Sequence, residues 1–135
     1  YWEAGRAAEY ADQLRVTLLL PMYVAESQHQ AEAEPEPHVM YYYSVLGGLL
    51  SGEFPESYQR YGESRRRLGT LSYETIRRER AIFGEPSYCL ERLQHIREVL
   101  GVQQIMAWMN MGGMPHDKVL RSMRLFSERV LPAIA

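Results

Sequence analysis

Thiols are nearly absent from this chain, Cys89 being the only cysteine. A single cysteine excludes an internal disulfide, which suits the reducing cytoplasm, the compartment expected here. An excess of one charge is absent too: fifteen basic and seventeen acidic residues, well interspersed, leave a net charge of −2. That balance excludes the concentrated positive field on which binding to nucleic acid or to an anionic membrane rests. No apolar run approaches the roughly 20 residues that span a bilayer. The longest, Val16 to Val24, is broken by Thr17 and Pro21. Histidines occur singly, at positions 29, 38, 95 and 116, and no spacing resembles a metal site. What remains is an ordinary soluble composition, 46% hydrophobic and 24% charged, on 135 residues. Such a chain carries one modest core and not two domains.

What is present is alternation. The chain opens on Tyr1, without an initiator Met, among residues that favour helix. Trp2 to Leu14 reads as a helix remnant with Trp2, Ala7, Tyr10 and Leu14 on one side, so a piece of a longer protein is the expectation. Val16 to Val24 is apolar without alternation, the pattern of a strand covered on both faces. Pro21 marks a bulge or strand end within it, because it cannot donate to a ladder. Ser27-Gln28-His29-Gln30 has capping-box spacing, so a helix should start just after Ala25-Glu26. Pro35 and Pro37 interrupt that helix. It resumes with a stripe of Val39, Tyr42, Tyr43, Leu46, Leu49 and Leu50 and stops near Gly52.

Residues 53–80 change character, mixing charge and aromatics, with Tyr73 to Arg80 the best helical stretch. A long excursion of this kind inside a small domain reads as a functional lid or a mobile segment. Ala81 to Gly84 is a short strand, and Pro86 opens a helix that should turn Cys89, Leu90, Leu93, Ile96 and Leu100 inward and stop at Gly101. Gln104 to Met109 is the next strand, followed by the turn Asn110-Met111-Gly112-Gly113-Met114. Pro115 opens the last helix, with Val119, Leu120, Met123, Phe126 and Val130 at helical spacing and Pro132 at its end. Strand–helix three times over is an α/β pattern of parallel strands joined by right-handed crossovers. The strand ends near 23–26, 83–86 and 109–115 then share one rim, where parallel α/β proteins bind ligands.

Three segments resemble those of a known family. Val16 to Glu26, VTLLLPMYVAE, resembles the sixth-strand region of the luciferase-like flavin-dependent monooxygenases. Ile82-Phe83-Gly84-Glu85-Pro86 resembles that family's Gly-acid-Pro turn at the following strand. Ile105 to Pro132 is similar to its closing strand and final helix. The three pieces, in order, cover essentially the whole chain. The resemblance implies that residues 1–135 are one partial domain, the C-terminal β/α units of a TIM-type (β/α)8 barrel. It implies a parent that uses reduced FMN, or a deazaflavin as the alternative, with dioxygen to oxidise a small organic substrate. A separate flavin reductase usually supplies the reduced cofactor. The family's catalytic and phosphate-gripping residues come largely from earlier strands, so no catalytic residue is assigned here, and flavin binding by the isolated chain stays open. The alternative reading is a non-catalytic fragment that self-associates, because open strand edges and an unclosed apolar face favour a homo-oligomer.

Candidate cofactor contacts are Trp108, Asn110, Gly112 and Gly113. An Asn at a strand's C-terminal end can offer donor and acceptor to a ring edge, and glycines let backbone approach closely. Against this stands ordinary barrel packing for Trp108, weighed equally, and a simple turn for the glycines. Tyr23, Met111, Arg65 and Arg66 are the candidate substrate or lid residues. A solvated charged face is favoured for the arginines, core packing for Cys89, a helix start for Gly84-Glu85-Pro86 and a surface position for His116.

Overall fold

The structure, a computed structural model, describes residues 2–8, 15–49 and 67–134. Three strands, β1 (Thr17–Val24), β2 (Ile82–Gly84) and β3 (Gln104–Trp108), form a parallel sheet in the order β2-β1-β3. β1 lies against β3 from Thr17 to Pro21, with Leu19 beside Met106, and against β2 from Met22 to Val24. Pro21 stands where the strand changes partners. Of the two readings the proline allowed, a bulge or a strand end, the strand end does not hold; what ends at Pro21 is the ladder with β3.

Consecutive units of a barrel would give the order β1-β2-β3. Here β1 separates the other two, and the sheet is open. The eight residues of β1 serve both neighbours in succession, the first five pairing with β3 and the last three with β2.

Helices pack against both faces of the sheet around the C-terminal half of β1. α1 (Trp2–Ala7) ends before the expected Leu14, and residues 9–14 lie outside those described. α2 (Gln28–Ala33) starts at Ser27, whose Oγ accepts the Gln30 amide at 3.3 Å. The Gln30 side chain reaches forward to Glu34 and not back, so half of the capping box forms. α3 (Glu36–Leu49) follows Pro35, and α4 (Tyr73–Glu79) is capped by Ser72 at 3.2 Å from the Thr75 amide. α5 (Pro86–Leu100) begins on its proline and stops at Gly101, in the left-handed region at φ 61°. α6 (His116–Leu125) runs on through a π turn (Phe126–Val130) and a 3-10 turn (Leu131–Ala133). Of the expected lid, 53–66 lies outside the described residues, and the rest, 67–80, is a helical pair, a turn and α4 itself.

The core divides by the period-two alternation of the strands. Tyr23, Ala25 and Phe83 point to the face covered by α2, α3 and α4, packing with Val39, Tyr43, Ile76 and Met111. Met22, Val24 and Ile82 point to the other face, with Cys89 and Leu93 of α5 and with Leu125 and Val130. Full burial of each such side chain is worth about 1.5–3 kcal/mol.

Two expectations fail in detail. The N-terminal half of β1 is not covered on both faces, since Leu19 is 57% exposed and its neighbour Met106 is 54% exposed. The buried stripe of α6 is Val119, Ser122 and Leu125, leaving Leu120 and Met123 exposed. The helix turns that face inward because Ser122 supplies a hydrogen bond that the sheet needs.

Candidate functional site

Beyond Pro21 and Trp108 the ladder between β1 and β3 stops, yet Val24 is fully buried and its amide requires an acceptor. Ser122 Oγ accepts it at 2.7 Å, and Ser122 is itself fully buried. A side chain of α6 thus continues the ladder that β3 leaves off, and α6 is seated across the C-terminal rim.

On that rim Tyr23 is fully buried and donates its hydroxyl to Glu34 Oε2. Arg121, one turn before the buried Leu125, grips the same carboxylate through Nη2, at 2.8 Å from Oε2 and 3.1 Å from Oε1. Gln30 Nε2 donates to Glu34 Oε1 at 3.1 Å, and Lys118 Nζ lies 3.6 Å from the same oxygen. Burial opposes charge on Glu34, but the hydrogen bonds from Tyr23 and Gln30 and the positive charges of Arg121 and Lys118 prevail and hold its pKa at about 2. Burial, and then the bond to Glu34, pushes the Tyr23 hydroxyl up to about 12. Near neutral pH the carboxylate therefore stays an acceptor and the phenol stays a donor. Neither exchanges a proton there, so the cluster is an anchor joining β1, α2 and α6, and not an acid–base pair.

Beside this anchor runs the segment from Trp108 to Met114. Trp108 is half-buried and meets Tyr42 edge-on, centroids 4.6 Å apart, while Tyr42 meets Tyr43 in the same manner at 5.4 Å. Met109, Met111 and Met114 are buried. Gly112 has φ +51°, and a Cβ placed on it would overlap the His38 carbonyl group, 2.5 Å from its carbon. The His38 ring Nδ1 lies 3.3 Å from the Gly112 carbonyl oxygen. Close approach at Gly112 is therefore made by the α3 backbone. Gly113, at φ +72°, has open space where a Cβ would be, and Asn110 is exposed.

The structure thus gathers Tyr23, Met111 and Trp108 around one core cluster and leaves Asn110 and Gly113 facing outward. Arg65 and Arg66 lie outside the described residues. Cys89 is buried, and burial pushes its thiol up to about 12, the state of a packing residue and not of a nucleophile. Gly84-Glu85-Pro86 serves as the start of α5, with Glu85 accepting from the Ser87 hydroxyl at 2.9 Å. His116 is exposed, and among the described residues no group of three or more His, Cys, Asp or Glu could hold a metal.

A second polar cluster ties α2 to α4 at the end of β2. Arg77 pairs with Glu32 and, at 2.7 Å, with Glu74, and Tyr73 donates to the Glu32 carbonyl. Gln28 donates to the Phe83 carbonyl at 3.2 Å and accepts from the Glu85 amide at 3.3 Å.

A flavin ring needs a slot beside its wall residues. Cavities of about 340, 420 and 410 Å³ open elsewhere, and none is lined by the 108–113 segment. Sequence reasoning did not single out Glu34, Lys118, Arg121 or Ser122. One signal was available: Lys118 and Arg121, three apart, share a face of α6. The chain matches no family model and no curated protein.

Proposed function

We propose that this chain is one wall of a flavin-dependent oxidoreductase or monooxygenase that oxidises a small organic substrate with reduced flavin and dioxygen. One observation supports the reading: the three segments that resemble the luciferase-like family, taken in family order, are the three strands whose C-terminal ends share a rim. Bound reduced flavin would supply the electrons that activate dioxygen. The chain's own part is positional. Asn110 and Gly113 are exposed just beyond β3, Trp108 packs edge-on against Tyr42 of α3, and the Glu34 anchor fixes the start of α6 against β1. The barrel form of such a parent requires β3 to lie beside β2, whereas β1 holds it here.

The test is flavin fluorescence quenching by this chain and by a longer reading frame extended before Tyr1, with FMN and a deazaflavin as probes. The extended protein binds one of them and this chain binds both more weakly. An extended, folded protein that binds neither overturns the proposal.

A further inference from the structure

We infer that the Gly112–Gly113 peptide is a two-state element of the rim and that His38 is its latch, holding the peptide's carbonyl toward α3 and its N–H the opposite way. The inference rests on contacts between described residues and is independent of the flavin reading.

Residues 111–114 form a tight turn, closed by the Met114 amide donating to the Met111 carbonyl at 2.9 Å. Both central residues have positive φ, +51° at Gly112 and +72° at Gly113, which makes the turn type I′. A type II′ turn keeps φ positive at the first central residue and reverses it at the second. The two forms therefore differ by turning over one peptide, through ψ of Gly112 and φ of Gly113. Most residues at position 113 would commit the turn to one sign of φ, whereas glycine takes both. Gly-Gly fits either form. Turning over one peptide leaves the Cα trace nearly in place, so the buried Met111 and Met114 keep their seats in the core. Among the described residues nothing lies within 4 Å of the place a Gly113 Cβ would take, and that flank of the turn is open to the motion.

Two contacts from His38 choose the form. Its backbone carbonyl backs Gly112, where a Cβ would overlap it, and so fixes the first central residue. Its ring Nδ1 lies 3.3 Å from the Gly112 carbonyl oxygen. A carbonyl only accepts, so Nδ1 carries the proton, and turning the peptide over breaks this bond. Across a planar trans peptide the C=O and N–H point opposite ways. In the latched form the Gly113 amide thus turns away from His38, and it has no acceptor among the described residues. The turn lies just beyond β3, on the rim where parallel sheets bind ligands. The latch decides whether the turn offers a ligand a hydrogen-bond donor or, after the flip, an acceptor.

Nuclear magnetic resonance of the 135-residue chain tests this. The amide protons of Gly112 and Gly113 are close in the type I′ turn and are separated by the flip, so their Overhauser effect reports the latched population. The unaltered chain shows that effect strongly, and the nitrogen shifts of the neutral His38 ring place its proton on Nδ1. His38→Ala raises the ratio of flipped to latched turns roughly two- to tenfold, the worth of one ordinary hydrogen bond. His38→Asn, whose side-chain N–H stands where Nδ1–H stood, restores the latched form. Should His38→Ala fail to fold, the ring tautomer of the unaltered chain decides. A neutral ring protonated on Nε2 alone, a weak Overhauser effect in the unaltered chain, an effect indifferent to His38→Ala, or one equally weak in His38→Asn and His38→Ala overturns the inference.

Discussion

Replacing Gly112 by alanine tests the packing of the rim most directly, with Gly113→Ala as its internal control. Both glycines have positive φ, +51° and +72°. Each alanine therefore carries the left-handed cost of about 1–2 kcal/mol. The two sites differ in what the methyl meets. At Gly113 there is nothing within 4 Å; at Gly112 the methyl would overlap the His38 carbonyl, 2.5 Å from its carbon and 3.0 Å from its Cα. Relief requires backbone to move, either in α3 or in the 110–114 turn, because the obstacle is main chain and not a flexible side chain. Forcing such a shift in packed structure costs about 1–3 kcal/mol beyond the strain. The expected totals are about 1–2 kcal/mol for Gly113→Ala and about 2–5 kcal/mol for Gly112→Ala. Urea unfolding measures both, with the difference between them isolating the contact. Equal midpoints for the two variants, within error, would refute the argument that α3 backbone sits against Gly112.

Three further outcomes follow from named contacts. Ser122→Ala leaves the buried Val24 amide without its acceptor and should cost about 1–3 kcal/mol, read by denaturation and by faster hydrogen exchange at Val24. The depressed pKa of Glu34 means that its contribution is fully present above its ordinary value of 4.5 and is lost as pH falls toward about 2. Glu34→Gln should flatten the stability profile across that window by roughly 1–2 kcal/mol, allowing for the part-exposed Arg121 and Lys118; unaltered and variant chains that lose stability in parallel there would contradict the anchor. Thr17→Cys with Gln104→Cys should give an intramolecular disulfide, since these residues are register partners in neighbouring strands. Failure to close, with β3 found beside β2 by cross-strand nuclear Overhauser contacts, would show the barrel order in place of β2-β1-β3.

What the sequence by itself determined was local. Ser27, Pro86 and Gly101 mark helix ends because capping, the fixed φ of proline and the freedom of glycine act within a few residues. The apolar run at 16–24, interrupted only by Thr17 and Pro21, and the shorter runs near 82 and 105 announce parallel strands for the same reason, although the exposed Leu19 shows that cover on both faces reaches only the C-terminal half of β1. Strand order was not legible there, because β1 offers itself equally to β2 and β3 and only their packing selects its neighbours. Nor was the inward face of α6, where a hydrophobic stripe pointed to Leu120 and Met123. Tertiary structure chose Ser122 because a buried amide 98 positions away needed an acceptor. The Glu34 anchor belongs to the same class: Tyr23, Glu34 and Arg121 are ordinary residues in sequence, and their shifted ionisation arises only when three separate elements bring them within hydrogen-bond distance.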